Sequence, residues 1–426
     1  MTHNQHRPNK TWGRKWPTAL LILFMFLNIN SLKAQTSNLT LPPGFTSVIY
    51  AENMGAPRHI VVTKEGDVYV KLDKLKDGKT IYRLRDTNGD GKADQFVGFG
   101  TYKGTGIALK DGYLYASSNT DIYRYKLDDK DQVVDPENPE LIVKGLLDHG
   151  EHNSKSIILD NDGHIYTNVG GYSNVCQVVD RAKGSPGITP CPILDSAAGI
   201  WQFQADKPGQ QYGDGVHYAG GFRNTVGLDW NAVTNSLFIM VHGRDQLHDN
   251  FPELYTQEQG NELPAETFYE IHKGSNGGWP YVYYDQLQHK QILNPEYGGD
   301  GKKTADQQYQ DPIVAFPGHM APDGLLFYTG SQFPAKYRNG AFITFHGSWN
   351  RQPEEKGYFV AFVPFTDGKP SGDWEIFADN FAGTKDITTP GKAAHRPCGL
   401  AQGPDGSLYV TDDAHGTIFK ISYTGQ

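Results

Sequence analysis

Runs of alternating apolar and polar residues recur along most of the chain. Each run opens with a pair of turn-forming residues and continues as a strand of alternating apolar and other side chains. The six runs are EGDVYV ending at Val70, DGYLYA at Ala116, DGHIYT at Thr167, TNSLFI at Ile239, NGAFIT at Thr344 and DGSLYV at Val410. An apolar strand precedes most of them and a third strand follows. This pattern predicts six units of hairpin-connected β-strands.

Six units of about four strands each predict an all-β fold, a six-bladed β-propeller. The units are unevenly spaced, so we expect long inter-strand loops in the middle blades, at Gly170–Ala198 and Gln246–Ala265. The strand around Phe45–Tyr50 is predicted to close the ring against the last blade. A β-sandwich is the alternative architecture for a chain with this many short strands.

The first 34 residues have the pattern of a secretory signal peptide. A basic stretch precedes the apolar run Ala19–Leu27, and the small residue Ala34 marks the expected cleavage site. A buried helix is the other interpretation of this run. We expect residues 1–34 to be removed and residues 35–426 to form a single propeller domain in the periplasm or outside the cell. That domain has no further apolar stretch long enough for an integral membrane segment.

Composition narrows the class of partner. Of the 426 residues, 38% are hydrophobic and 12% are aromatic, which is enough for a large folded core. The formal net charge of -9 argues against nucleic acid as a partner, because phosphate binding needs a basic surface.

Three cysteines lie in the predicted propeller domain. Cys176 and Cys191 bracket a loop rich in glycine and proline, and the expected export makes a disulfide between them possible. Two unpaired thiols are the alternative. With the bridge formed, Cys398 is expected to be a buried thiol.

Polar and mostly cationic residues precede four of the predicted inner strands. They are Arg58, His152 with Asn153, Arg223 with Asn224, and Arg396. Inner strands surround the central channel of a propeller, so residues at their entrances converge although they are far apart in sequence. Arginines arranged in this way bind a planar, multiply anionic ligand through forked hydrogen bonds. Unrelated surface arginines are the alternative interpretation.

Two loop motifs add further candidate chemistry. In FHGSWNRQ, Trp349 offers a stacking face, Asn350 a polar group and Arg351 another guanidinium. In VHGRDQL, a turn could present the carbonyl oxygens of Gly243 and Arg244, together with Asp245, to a hard cation such as calcium.

Taken together, these motifs resemble those of the glucose/sorbosone dehydrogenases, six-bladed propellers that use pyrroloquinoline quinone (PQQ). The similarity is strongest at HNSKSIILDNDGHIYTNVG, GGFRNTVGLDWN, NGGWP, FHGSWNR and RPCGL. It implies that PQQ lies on one face of the propeller with a bound calcium ion. The cofactor contacts that it implies are Arg58, Arg223, Asn224, Trp349, Asn350, Arg351 and Arg396.

The resemblance also implies that His152 is the general base, with His149 as its competitor. Oxidation of an alcohol or a hydrated aldehyde removes a proton from oxygen while hydride leaves carbon, and a neutral imidazole can accept that proton. Val226 departs from the glucose-oxidising branch, so a sorbosone-like or pyranose-type branch is favoured.

We therefore expect an oxidoreductase that transfers hydride from a sugar, a sugar aldehyde or a polyol to PQQ with the assistance of calcium. An external quinone or cytochrome is the expected electron acceptor. One alternative is a propeller that binds a glycan or a protein without catalysis. The other is a metal-dependent lactonase.

A separate loop predicts a structural calcium site. Its oxygen-bearing side chains are Asp86, Asn88, Asp90 and Asp94, with glycine in the turn, as at the start of a calcium-binding loop. The final glutamate of an EF-hand is missing, and a plain Asp/Asn/Gly turn is the alternative.

Overall fold

The computed structural model describes residues 1–6, 8, 13 and 36–425. Contacts divide the chain into residues 1–32 and 33–426, and the fold described below belongs to the second unit. The apolar run of the predicted signal peptide, Ala19–Leu27, lies outside the described residues. Within the described part of the chain, no helix has the length and apolarity needed to cross a membrane.

The fold is the predicted six-bladed β-propeller. Five blades are four-stranded antiparallel sheets, and the sheet of blade 2 has a fifth, short strand, Gln210–Gln211, which is parallel to its outer strand. The blades are numbered here from the one that follows the first strand of the chain. From the inner strand outwards, blade 1 contains Pro57–Val62, Val68–Lys76, Lys79–Arg85 and Gln95–Phe99, and blade 2 contains Ile107–Lys110, Tyr113–Ser117, Ile122–Lys126 and Glu140–Lys144. Blade 3 contains Ile157–Leu159, His164–Val169, Gly199–Gln204 and Val216–Gly220, and blade 4 contains Thr225–Asn231, Ser236–Val241, Glu266–Ile271 and Val314–Phe316. Blade 5 contains Pro322–Phe327, Ala341–Phe345, Phe359–Val363 and Glu375–Ala378, and blade 6 contains Pro397–Gln402, Leu408–Asp412, Thr417–Tyr423 and Phe45–Ala51.

The first strand of the chain closes the ring, as predicted. Phe45–Ala51 is the outer strand of blade 6 and pairs antiparallel with Thr417–Tyr423, with Phe45 opposite Tyr423. This pairing joins the two ends of the propeller and covers strand edges that would otherwise be exposed. The β-sandwich alternative is therefore wrong.

The six inner strands surround a central cavity of about 280 Å³. Its wall is mostly aliphatic and includes Ile60, Ile107, Ile157, Leu325 and Leu400. The cores between the blades are buried and apolar. The core at blades 5 and 6 is strongly aromatic and includes Phe333, Phe342, Phe362, Phe377 and Phe419.

Long loops interrupt the middle blades. The two predicted loops lie between the second and third strands of blades 3 and 4, and the second loop contains short helices at Leu247–Asn250 and Gln257–Glu262. The repeat pattern missed a hairpin, Val282–Asp285 with Lys290–Leu293, inserted before the outer strand of blade 4. The remaining elements are the short strands Gln210–Gln211, Phe365–Thr366 and Lys369–Pro370 and the 3-10 helices Pro192–Asp195, Tyr212–Asp214, Pro295–Tyr297, Ala335–Tyr337 and Pro390–Lys392.

The predicted disulfide is confirmed. Cys176 and Cys191 are bridged within the long loop of blade 3, with their Cα atoms 6.2 Å apart. Cys398 is an unbridged, buried thiol at the start of the inner strand of blade 6, also as predicted.

In four blades, the pairing of the inner strand with the second strand is irregular at the start of the inner strand, where the site residues lie. The shifts fall after Pro57, Thr225, Pro322 and Pro397, at the ends of the strands that share one face of the ring. A bulge re-aims the neighbouring side chains and bends the strand. The residues at these four entrances therefore gather around the mouth of the central channel.

Candidate active site

The structure brings most of the predicted entrance residues to one face. Arg223 and Asn224 directly precede the inner strand of blade 4, and Arg396 directly precedes that of blade 6. Arg58 is the second residue of the inner strand of blade 1, while His152 lies five residues before that of blade 3. Side-chain and backbone contacts, described below, connect these blades.

At the mouth of the channel, two aspartates join blades 1, 5 and 6. Asp413 accepts a 2.6 Å hydrogen bond from Nη1 of Arg58 and lies 2.6 Å from Nε2 of His346. Asp323 lies 3.3 Å from the same Arg58 nitrogen and 3.2 Å from Nε2 of His242. The charge of Arg58 is thus compensated within the protein.

These contacts change the proton affinities of the buried groups. Burial alone would raise the pKa of Asp323, but Arg58 and His242 hold it well below the usual range of a carboxyl. His242 is also buried, which lowers its pKa, but the neighbouring carboxylates Asp323 and Glu266 raise that pKa above its ordinary value. Burial lowers the pKa of His59 to about 4, so this imidazole, whose Nε2 lies 2.9 Å from the carbonyl oxygen of Asp323, is neutral near pH 7.

Arg396 differs from the other predicted arginines. Its Nε and Nη2 donate to the carbonyl oxygens of His346 and Gly347, at 3.0 and 2.9 Å. Among the residues that the structure describes, no carboxylate lies within ion-pair distance of its guanidinium. Arg396 therefore brings an uncompensated positive charge to this face.

On the side of blades 3 and 4, Arg223 is held by Gly243 and Asp245, in the loop that follows the second strand of blade 4. Its Nη2 donates to Asp245 at 2.9 Å, and its Nη1 donates to the carbonyl oxygen of Gly243 at 2.9 Å. Asp245 also accepts from Arg181 at 3.0 Å and from Nδ2 of Asn350 at 3.1 Å. Burial would raise the pKa of Asp245, but Arg223 and the neighbouring cationic groups lower it far below its usual range.

His152 is held in a specific orientation by the backbone. Its Nδ1 lies 2.5 Å from the carbonyl oxygen of Gly171, so this nitrogen carries the proton that forms the hydrogen bond and Nε2 is left as the acceptor. His152 has a φ of 51°, in the left-handed region, and a Cβ at Gly170 would lie 2.5 Å from that of His152. This close approach explains why glycine stands at position 170.

The environment keeps the imidazole of His152 neutral. Burial, with a further contribution from the charge of Arg223, lowers its pKa to about 3. Nε2 lies 3.8 Å from a carboxylate oxygen of Glu151, which itself binds Arg181 at 2.6 Å. The competing residue, His149, is exposed and packs its ring against Tyr172.

Two further arginines near this face are buried: Arg351, a predicted cofactor contact, and Arg244, which was predicted only for its carbonyl oxygen. The guanidinium of Arg351 is buried and binds Glu262 and the carbonyl oxygens of Asn261 and Gly318. That of Arg244 is also buried and binds Glu296 at 2.6 Å. Trp349, in contrast, is 57% exposed.

The predicted calcium donors are already used by protein cations. The carbonyl oxygen of Gly243 accepts from Arg223, and Asp245 accepts from Arg223 and Arg181. A calcium ion bound by Gly243, Arg244 and Asp245 would have to share the oxygens of Gly243 and Asp245 with these guanidinium groups, and this site remains a prediction. Within the described ranges, no group of three histidine, cysteine, aspartate or glutamate side chains is arranged to hold a metal ion.

The loop at residues 86–94 connects the third and fourth strands of blade 1. Both carboxylate oxygens of Asp86 accept backbone N–H groups, from Gly89 at 2.7 Å and from Gly91 at 2.8 Å. The side chains of Asn88 and Asp90 each accept the N–H group two residues later. Asp94 accepts from Thr87. These contacts make a compact turn, and its calcium binding remains a prediction.

Asp323 and Asp413 were not identified from the sequence. A signal for Asp323 was present, because Ala321-Pro322-Asp323 repeats the pattern Ala56-Pro57-Arg58 at the same entrance of another blade. Asp413 directly follows the second strand of blade 6, and Gly243 to Asp245 lie within four residues of the corresponding end in blade 4. Alignment of these strand ends would have grouped them.

Several buried polar atoms on this face have no protein partner. Among them are three amide oxygens, Oδ1 of Asn224, Oε1 of Gln246 and Oδ1 of Asn350. A buried acceptor without a partner is costly, so such atoms indicate contact with a donor or a cation outside the protein. Together with the uncompensated Arg396 and the neutral His152, they fit an anionic ligand that also carries donor groups, as PQQ does.

Comparison with known proteins supports this assignment. The PQQ-dependent sugar dehydrogenase of Hypocrea jecorina (strain QM6a) is 24% identical over 443 residues, covering 95% of this chain and 96% of that protein. A calcium structure of the Trichoderma reesei carbohydrate-active enzyme of family AA12 has a TM-score of 0.72 at 19% identity, covering 93% of this chain and 99% of that chain. The holo form of the pyranose dehydrogenase PQQ domain from Coprinopsis cinerea has a TM-score of 0.70 at 18% identity, covering 92% and 98%.

These matches confirm the resemblance to PQQ-dependent sugar dehydrogenases that the motifs indicated. A family model described as TrAA12-like matches residues 39–424, which is nearly the whole propeller. The chain therefore belongs to the TrAA12-like family.

Proposed function

We propose that the protein is a PQQ-dependent dehydrogenase that oxidises a sugar, a sugar aldehyde or a polyol. The observation that carries the proposal is the orientation of His152, whose Nδ1 is bound to Gly171 and whose Nε2 is left as an acceptor. The family supports the same activity, since its relatives include PQQ-dependent sugar dehydrogenases.

In this proposal, His152 is the general base. Its low pKa keeps Nε2 unprotonated over the neutral range, so Nε2 can accept the proton of a sugar hydroxyl group. The hydrogen bond to Gly171 fixes the direction in which Nε2 points. When bound, PQQ would accept the hydride that leaves the sugar carbon.

Arg396 is the best candidate to bind a carboxylate of the cofactor. Among the four predicted arginines, Arg58, Arg223 and Arg351 are each paired with a carboxylate, whereas Arg396 donates only to carbonyl oxygens. An anion beside Arg396 would gain a charge-assisted hydrogen bond without displacing a protein carboxylate. Arg223, Asn224, Trp349 and Asn350 complete the cofactor contacts that we propose.

Calcium binding is a conditional part of the proposal. Asp245 and the carbonyl oxygen of Gly243 are both hydrogen-bonded to Arg223, so a calcium ion would share these two ligands with that guanidinium. We therefore expect calcium and the Arg223–Asp245 pair to compete. The loop at Asp86–Asp94 remains a separate, structural proposal.

We also propose that the reaction takes place in the periplasm or the medium. The basic and apolar pattern of residues 1–34 supports export to the periplasm or the medium. There, an external quinone or cytochrome would accept the electrons.

The test is a titration of the purified protein with PQQ by calorimetry, followed by dye-coupled oxidation of a panel of aldoses, sugar aldehydes and polyols. We expect saturable PQQ binding and PQQ-dependent reduction of the dye with at least one substrate. PQQ binding without oxidation of any substrate would favour a non-catalytic propeller. Lactone hydrolysis that depends on a divalent metal, in protein that binds no PQQ, would favour the lactonase.

A further inference from the structure

Asn174 occupies a central position between residues that the repeat pattern did not connect with it. It lies in the long loop of blade 3, two residues before the disulfide at Cys176, and its side chain is fully buried. This loop belongs to no repeated strand, so sequence periodicity gives no signal for it.

The side-chain amide of Asn174 makes hydrogen bonds to two residues of the site. Its Oδ1 accepts from Nη2 of Arg223 at 3.1 Å and from the backbone N–H of Asp245 at 2.8 Å. Its Nδ2 donates to the carbonyl oxygen of Asp245 at 3.1 Å. One amide group therefore orients both members of the Arg223–Asp245 ion pair.

The backbone of Asn174 adds to the same arrangement. Its carbonyl oxygen accepts from Nε of Arg223 at 3.1 Å and from the indole N–H of Trp279 at 3.0 Å. Its N–H donates to Asp180 at 2.9 Å. Arg223 thus receives two of its contacts from a single residue, which is itself fixed on three sides.

The same short segment holds the imidazole of His152. Gly171, three residues before Asn174, provides the carbonyl oxygen that binds Nδ1 of His152. The N–H of Gly171 donates to the carbonyl oxygen of Arg223 at 2.7 Å. The loop therefore sets the relative position of the proposed base and the neighbouring guanidinium.

We propose that Asn174 is a positioning residue that fixes the direction of Arg223 and Asp245 for cofactor binding. This inference rests on the proposed function in so far as Arg223 faces the cofactor. Asn174 touches neither reacting atoms nor, in this proposal, the cofactor. Its effect passes through the planar fork of Arg223, whose hydrogen bonds depend on a preset orientation.

The test compares Asn174→Ala and Asn174→Asp with the wild-type protein. Asn174→Ala removes all three amide contacts, and Asn174→Asp keeps an acceptor for Arg223 but loses the donor to Asp245. We expect the Kd for PQQ to rise about tenfold in Asn174→Ala, as for loss of one hydrogen bond to a charged group, and by a smaller factor in Asn174→Asp. The matched control is Asn231→Ala, a buried asparagine at the opposite end of the inner strand of blade 4, which should leave the Kd unchanged.

A second measurement does not depend on PQQ. Hydrogen exchange of the Nη–H groups of Arg223, followed by NMR in the apo-protein, should be slow in the wild type, faster in Asn174→Ala, which loses the acceptor of Nη2–H, and accelerated to a smaller degree in Asn174→Asp. If Asn174→Ala does not fold, Asn174→Asp carries both measurements. A wild-type Kd together with unchanged exchange at Arg223 would overturn the proposal. If the wild type itself binds no PQQ, the proposed function fails, and the exchange measurement still decides whether Asn174 positions Arg223.

Discussion

Two regions of the propeller use arginine in different ways. At the entrances of inner strands, Arg58 and Arg396 lie at the mouth of the channel, and the guanidinium of Arg396 has no carboxylate partner among the described residues. In the loops that follow second strands, Arg244 and Arg351 are buried and bind Glu296 and Glu262. The loop arginines hold their loops against the blades through these ion pairs, whereas Arg396 brings to the shared face a charge that no described carboxylate pairs with.

The difference teaches that the partner of the guanidinium, a carboxylate or a carbonyl oxygen, decides which arginine can meet an anionic ligand. Removing one partner of a buried ion pair leaves an uncompensated charge, so loop arginines should matter for folding. A charge held only by carbonyl oxygens remains available to an anion. Substitutions in the two regions should therefore separate binding and catalysis from stability.

The largest effect is expected at the entrance of blade 3. His152→Ala should lower kcat by about 10²–10⁴-fold, because the group that accepts the hydroxyl proton is lost, while the Kd for PQQ changes little. Steady-state kinetics at saturating PQQ measure this change. His149→Ala is the control and should retain activity, and a loss of activity in His149→Ala alone would assign the base to that residue.

The next effect belongs to the loop of blade 3. Replacing both Cys176 and Cys191 by serine opens a loop closed by residues 15 apart, which should destabilise the protein by about 3 kcal/mol through loop entropy. Thermal or denaturant unfolding measures this loss. An unchanged midpoint would show that the contacts of the loop hold it without the bridge.

One pair of substitutions tests whether Arg396 serves ligand binding and Arg351 serves stability. Arg396→Gln should raise the Kd for PQQ by about 10-fold to 100-fold and leave the melting temperature nearly unchanged, because it removes a charge-assisted contact to the ligand. Arg351→Gln should do the reverse and lower the free energy of unfolding by about 2 kcal/mol. Calorimetry and thermal unfolding of both variants check this, and the opposite pattern would contradict the division into two regions.

The smallest expected effect is a shift in titration. In the apo-protein, burial and the charge of Arg223 lower the pKa of His152 to about 3, so its NMR signals should not titrate between pH 8 and pH 5. Arg223→Gln removes one of the causes that lower the pKa of His152, which should therefore rise. A midpoint near pH 6.5 in the wild type would show that the imidazole is not buried as described.

The sequence predicted the architecture better than the direction of individual side chains. Hairpin turns and alternating strands repeat six times, so the blades, the closing strand at Phe45 and the two long loops followed from periodicity. The repeat pattern did not predict that the guanidinium groups of Arg351 and Arg244 are buried in ion pairs, because their partners Glu262 and Glu296 lie in loops without a repeat. Asn174 was missed for the same reason.

The candidate site was predicted in part. The position of Arg58, Arg223 and Arg396 at the starts of inner strands predicted that they share one face, because the inner strands of a propeller have the same orientation. The same positions could not show that Asp323 and Asp413 neutralise Arg58. Asp323 reaches the channel mouth through the bulged start of a strand in blade 5, and Asp413 lies in a turn of blade 6.

The pairing of the first strand of the chain with the last one forms a seam in blade 6, and the site depends on this seam. Blade 6 takes its outer strand from residues 45–51 and its other three from residues 397–423. Arg58 lies on one side of this seam, and Arg396 and Asp413 lie on the other. The hydrogen bond between Arg58 and Asp413 crosses this seam. The mouth of the channel therefore keeps its geometry only while the first and last strands of the propeller remain paired.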